Sequence, residues 1–163
     1  DNIFTINGNK IANQISSNNI IEEYDIFKKY PSSLNINIKK TKFLARISDK
    51  KKIYLVGTNG KLSKNDFSND QLPFIFGKPV INKFLNFKKI IDVSEISYED
   101  IKNLYFFSTG RWDIELNNNV VIKLSKNDTK ESLQLALEFL YSSEFKDIKI
   151  IDARIKNQII LND

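Results

Sequence analysis

The 163-residue chain contains no cysteine, no histidine and no methionine, and only five glycines and three prolines. Without cysteine there is no disulfide framework, no thiolate nucleophile and no thiolate metal site, and the redox compartment is left open. Without histidine the commonest general base and metal ligand is missing, so most hydrolase templates fail at once. The glycines are too few and too scattered for a phosphate-cradling fingerprint. No apolar run approaches the roughly 18 residues that span a bilayer, and no signal-peptide pattern appears over residues 3–15. A chain that starts at Asp1 and lacks methionine is expected to be a piece of a longer protein, with any membrane anchor outside it.

What is present is enough to build a core. Hydrophobic residues make up 41% of the chain, sufficient for one ordinary domain or two small ones. The formal charge of +5 raises the question of nucleic acid or anionic lipid. However, the lysines lie in short scattered groups, such as Lys28 with Lys29 and Lys88 with Lys89, and lysine, asparagine and isoleucine are over-used together as an AT-rich genome would produce. Nucleic acid is therefore not an expected partner.

Periodicity then divides the chain. Ile11, Ala12 and Ile15 share a helical stripe after the turn-prone Asn7 and Gly8, predicting a short helix. Two strands follow around Pro31, the second alternating Leu34, Ile36 and Ile38 with polar residues. Residues 43–47, 53–56 and 61–63 read as a meander in which Asn59-Gly60 is a two-residue hairpin signal. Residues 64–71 are polar and turn-rich, predicting a mobile loop, and residues 72–77 read as a tight apolar corner. Pro79 sits where a first helical residue belongs, with Val80, Ile81, Phe84, Leu85, Phe87 and Ile91 as a core-facing stripe. A buried strand is expected over 101–107. Trp112, Ile114 and Leu116 then alternate with Asp113 and Glu115, the chain turns at 117–119, and Val120, Ile122 and Leu124 return antiparallel. Asp128 and Glu131 stand at capping-box spacing before a helix buried through Leu133, Ala136, Leu137, Leu140 and Tyr141. Residues 148–155 and 158–161 close the chain as two strands around Lys156-Asn157.

Two carboxylate arrangements invite a chemical reading. Asp113 and Glu115 share a strand face, as a glycosidase pair could, but a solvated strand face explains them more simply. Asp66, Ser68 and Asp70 offer oxygens for calcium, yet the glycine and distal glutamate of a calcium loop are missing. No catalytic residue, cofactor or metal site is expected.

Five blocks resemble one family in order and spacing. Residues 24–36, from Tyr24-Asp25-Ile26-Phe27 through Pro31 to Leu34-Asn35-Ile36, are similar to the strand, proline turn and strand that end a POTRA domain in FtsQ/DivIB proteins. Ile53-Tyr54-Leu55-Val56 before Asn59-Gly60 resembles that family's first β-domain hairpin, and Leu72-Pro73 with Gly77 resembles its inter-strand corner. Gly110-Arg111-Trp112-Asp113 resembles its arginine-tryptophan strand, and Ile151-Asp152-Ala153-Arg154 its near-terminal aspartate-x-arginine strand. Departures fall at Lys40 and Phe43, where the family has glutamate and proline leaving the POTRA domain, and at Asn118-Asn119, where it favours Asn-Gly.

The resemblance implies an α+β fold: residues 1–42 as the C-terminal half of a POTRA domain, a helix plus two strands, and 43–163 as a mainly antiparallel β-domain with two packed helices. It implies a non-enzymatic scaffold of the bacterial divisome, anchored by a single pass in the inner membrane with this part in the periplasm. Its partners would be FtsB- and FtsL-type proteins, bound by strand addition to help control septal cell-wall synthesis. A POTRA-bearing secretion or outer-membrane assembly factor is the alternative, with a nucleic-acid-binding domain behind it.

The final strand has nothing after it to cover its edge, so free backbone donors and acceptors are expected there. The candidate partner-binding set is Arg111, Arg154, Ile155, Asn157, Ile159, Ile160 and Leu161. The two guanidinium forks suit partner carboxylates, although Asp152 shares a strand face with Arg154 and could pair with it internally. Trp112 is assigned to the core by its alternation with Ile114 and Leu116.

Overall fold

The computed structural model describes residues 8–30, 33–64, 71–142 and 148–162. The Pro31 turn and the polar segment 65–70, with its candidate calcium oxygens, lie outside the described residues. The chain opens with the predicted helix, α1 (Gly8–Ser16), and an antiparallel ribbon of β1 (Ile21–Lys29) and β2 (Ser33–Lys40). The register sets Tyr24 opposite Ile38 and Ile26 opposite Ile36, so the apolar residues share one ribbon face.

A nine-stranded mixed sheet carries the rest. Its strands are β3 (Phe43–Asp49), β4 (Lys52–Gly57), β5 (Leu62–Lys64), β6 (Phe74–Phe76), β7 (Ile101–Phe106), β8 (Trp112–Leu116), β9 (Val121–Leu124), β10 (Ile150–Ala153) and β11 (Ile160–Asn162). They lie in the order β11-β10-β9-β8-β7-β6-β3-β4-β5. Five ladders are antiparallel and three are parallel, β9 with β10 and β6 with both β3 and β7. The fold is therefore mixed α+β with a mostly antiparallel sheet.

Helices α2 (Ile81–Asp92) and α3 (Thr129–Ser142) supply the cover. Phe84, Phe87 and Ile91 of α2 and Leu133, Ala136 and Leu137 of α3 are buried in one cluster with Ile47, Ile75, Leu104, Ile114, Ile122 and Ile151. Trp112 is the centre of an aromatic group, stacked on Phe87 at 4.7 Å and tilted against Phe106 at 4.8 Å. Its assignment to the core holds. Because strand side chains alternate, the opposite sheet face carries Arg46, Phe74, Phe76, Tyr105, Asp113, Glu115, Lys123 and Asp152.

Several local expectations are corrected. Residues 72–77 are not a corner: three of them form β6 in the middle of the sheet, parallel to both neighbours, and three residues are too few to display alternation. Pro79 precedes α2 by two positions, since Val80 has extended backbone and supplies the first accepting carbonyl, to Lys83 N at 2.8 Å. Asn59-Gly60 is not a two-residue turn. Gly60 N bonds to Gly57 O and Gly57 N to Lys61 O, both at 3.0 Å, with Gly60 alone at positive φ, +73°, which makes a three-residue loop. Residues 101–107 are not buried throughout: Ile101 and Leu104 are, whereas Phe107 is exposed. The start of α3 is fixed by hydroxyls, Thr129 Oγ1 to Ser125 O at 2.9 Å and Ser125 N to Ser132 Oγ at 3.0 Å.

The largest correction concerns Asp113 and Glu115. Their strand face is not solvated: Asp113 is 4% exposed, and both carboxylates are held in networks.

Candidate partner edge and the charged strip beside it

β11 is the terminal strand of the sheet, paired on one side with β10 in the register Asp152–Ile160, Ile151–Leu161 and Ile150–Asn162. The pleat turns Ile159 and Leu161 toward the core, where both pack as partly buried residues. Ile160 points the other way and is 47% exposed. The connection from β10 turns through a bond from Gln158 N to Ile155 O at 3.1 Å, with Asn157 at φ +57°. Ile155 and Asn157 line a cavity of about 380 Å³ beside α3, facing Asp128, Glu131 and Leu135.

Both expected guanidinium forks are already engaged. Arg154 Nε donates to Asp152 Oδ1 at 2.8 Å and Nη2 to Oδ2 at 2.5 Å, while its backbone N donates to Oδ1 at 3.1 Å. The internal pair left open by the sequence is formed. The Arg154 bonds hold the Asp152 carboxyl below its ordinary value, outweighing desolvation. Arg154 nevertheless keeps nearly half its side chain exposed, which leaves donors facing outward. Arg111 donates from Nε and Nη2 to the two Asp113 oxygens, each at 3.1 Å, and its guanidinium lies 4.0 Å from the Phe107 ring centre. Asp113 Oδ1 also accepts from Leu124 N at 3.3 Å. Burial still pushes the Asp113 carboxyl up, against the pull of Arg111.

The register places Lys123 of β9 opposite both Asp113 of β8 and Asp152 of β10. The result is an alternating strip, Arg111, Asp113, Lys123, Asp152, Arg154, that crosses three strands on the open face and ends beside Ile160. Sequence reasoning found the ends of this strip and missed its middle. The available signal was the mirrored spacing Arg-x-Asp at 111–113 and Asp-x-Arg at 152–154, which puts each pair on one strand face. Further along the same face Glu115 accepts from Tyr105 Oη at 2.5 Å and Asn103 Nδ2 at 2.8 Å, and pairs with Lys102 at 3.2 Å. Among the described residues no group of three or more carboxylates is placed to hold a metal ion.

The family model for the C-terminal region of cell division protein FtsQ/DivIB matches residues 45–154, from the first strand of the large sheet to the last residue of the charged strip. The chain belongs to the FtsQ/DivIB family of cell division proteins. It is 26% identical over 162 residues to cell division protein DivIB of Clostridium tetani (strain Massachusetts / E88), an alignment covering 88% of this chain. The chain spans 61% of the length of that relative. Among solved structures it matches the major extracytoplasmic domain of the trans isomer of DivIB from Geobacillus stearothermophilus, with a TM-score of 0.44 and 13% identity, over 66% of this chain and 99% of that one. The FtsQ/DivIB match takes in the whole charged strip and ends before the terminal strand β11. No described helix is long and apolar enough to cross a membrane.

Proposed function

We propose that this chain is the extracytoplasmic, non-enzymatic binding part of a membrane-anchored division protein, and that it receives a strand from an FtsB-type partner, with FtsL-type proteins in the same assembly, on the open edge of β11. Residues 1–42 serve as the C-terminal half of a POTRA unit and 43–163 as the binding domain. Through this contact the protein helps control septal cell-wall synthesis.

The observation that carries the reading is the difference between the two ends of the sheet. At the β5 end, Lys61 O points to β4, so by alternation the next carbonyl, of Leu62, points outward; Asn19 Nδ2 occupies it at 2.8 Å. The β11 end has no such cap among the described residues. A strand added there gains about 0.5–1.5 kcal/mol per ladder bond, so side chains must supply specificity. Ile160 and the free donors of Arg154 flank the edge on the open face, Ile155 and Asn157 flank it beside α3, and Ile159 and Leu161 anchor it in the core. Arg111 holds the far end of the strip in place.

Pull-down with the extracytoplasmic segment of the FtsB-type protein tests this. Ile160→Pro removes a backbone donor and disturbs strand geometry, and Arg154→Glu reverses the charge beside it. Each is expected to weaken capture at least tenfold while Trp112 fluorescence stays native. Full binding by both folded variants would move the site away from β11.

A further inference from the structure

The loop between β4 and β5 is where the two sheets of the molecule meet, and the side chains of Thr58, Asn59 and Lys61 all reach across. Asn59 Nδ2 donates to the carbonyls of Asn19 and Ile21 at 2.9 and 3.2 Å, which lie at the entrance to β1. Its Oδ1 accepts from Lys61 N at 3.0 Å, fixing the amide orientation. Asn59 N donates to Thr41 Oγ1 at 3.3 Å; Thr41 Oγ1 and Thr58 Oγ1 are 3.0 Å apart, and Thr58 Oγ1 donates to Glu22 Oε2 at 3.1 Å. Lys61 Nζ donates to Ser16 O, the last residue of α1, at 2.9 Å. The N-terminal unit answers with Asn19 Nδ2 on Leu62 O at 2.8 Å, while Thr41 N on Ile20 O at 2.8 Å ties the linker back to the ribbon.

Packing at this junction is as close as its bonding. Only Thr41 and Lys42 separate β2 from β3, and Thr41 is buried. A Cβ placed on Gly57 would lie 2.6 Å from Asn59 Oδ1 and 2.8 Å from Thr41 Oγ1, so the loop closes on Thr41 with no room for a side chain. A connection that served as a hinge would leave a few residues free to absorb changes in backbone angle. Here the short linker, the start of β1 and the end of α1 are all tied to one loop of the large sheet.

We propose that the Asn59 loop is a lock that makes the α1–β1–β2 unit and the nine-stranded sheet one rigid body, so that the placement of the N-terminal unit fixes the direction in which the β11 edge is presented. A partner that takes hold of either part would then orient both. The lock is independent of which partner binds and operates in the free protein.

The absence of native cysteine allows a direct test. Nitroxide labels on Asn37→Cys in β2 and Lys89→Cys in α2, both exposed positions, report the distance between the two parts by pulsed dipolar spectroscopy. One narrow distribution is expected in the otherwise native chain, and at least a twofold broadening on Asn59→Ala. Trp112 fluorescence verifies that the large sheet is intact. Should Asn59→Ala fail to fold, Asn19→Ala combined with Lys61→Met removes the outer bonds alone and is expected to broaden the distribution in the same sense. A parent distribution that is already broad, or one whose width none of the folded variants changes, overturns the proposal. Because no partner is present, either result is separate from the pull-down on β11.

Discussion

The carboxylates of the open face carry opposite titration signatures, although Asp113 and Glu115 share β8 and Asp152 lies only two strands away on β10. Asp152 and Glu115 are held below their ordinary values of 3.8 and 4.5, Asp152 by Arg154 and Glu115 by Tyr105, Asn103 and Lys102 acting together against desolvation. Their stabilisation is complete above those ordinary values and is lost as pH falls through the lower folded values. Asp113 runs the other way: burial raises its folded value above 3.8, so its ionised form costs stability at neutral pH, and that cost is relieved as pH falls through the raised value. Urea midpoints measured from pH 7 down to pH 3 are therefore expected to fall less steeply in Asp152→Asn than in the parent, and more steeply in Asp113→Asn, which removes the opposing contribution. Tyr105, pushed up to about 12 by burial and by Glu115, stays protonated throughout that range. Trp112 is the other residue with a sharp expected outcome. It fills the space between Phe84, Phe87 and Phe106, so Trp112→Ala leaves a cavity that costs about 3–5 kcal/mol, to be read by circular dichroism during urea unfolding.

Two turns of the large sheet solve one problem with different residues. The β4–β5 loop closes with Gly60 at φ +73°, while the β8–β9 loop closes in the same pattern, Asn119 N to Leu116 O and Leu116 N to Val120 O at 2.9 Å each, with Asn119 at φ +66°. Asparagine tolerates this region better than most residues but less well than glycine. Asn119→Gly is expected to leave stability within about 0.5 kcal/mol, its conformational gain offsetting the lost bond from Lys102, whereas Asn119→Val costs about 1–2 kcal/mol in the same urea assay. Asn118-Asn119 thus meets the backbone demand that an Asn-Gly pair would also meet. β6 depends on a third such position. Gly77 leaves the strand at φ +96°, and a Cβ there would lie 2.2 Å from Phe106 O. Gly77→Ala must push β6 away from β7 in the centre of the sheet, so it is expected to cost more than the roughly 1–2 kcal/mol of backbone strain alone and to lower amide-exchange protection more in β7 than in β5.

The molecule divides unevenly between its two sheets. All of the buried core cluster falls between Ala45 and Ala153, while the apolar face of the β1–β2 ribbon is covered in part by α1 and leaves Ile36 and Ile38 exposed. A two-stranded ribbon with a nine-residue helix buries too little to be stable by itself. A chain cut to residues 43–163 is expected to unfold cooperatively with native Trp112 fluorescence, and a peptide of residues 1–42 to show no cooperative transition by circular dichroism. Attachment through the Asn59 loop is then what holds the ribbon in its observed place.

Alternation and amphipathic stripes made most elements legible, because a strand or helix with one buried face writes its period into the sequence: α1, α2, α3, the β8–β9 hairpin and the placement of Trp112 all follow from it. The lack of histidine and cysteine removed most catalytic templates before any geometry was known, and five ordered blocks carried the family. Tertiary structure alone decided the rest. β6 is three residues long and gets its strand identity from neighbours contributed by β3 and β7, which no local pattern encodes. Asp113 reads as a surface residue by alternation and is buried where Tyr105 of β7 and Lys123 of β9 stand opposite it and Arg111 and Leu124 N satisfy its oxygens. Asn59 reads as a turn former and became a lock, since its bonding partners lie about 40 residues away along the chain. Local sequence determines which way a side chain points from its own backbone; what it meets there depends on chain segments that only folding brings together.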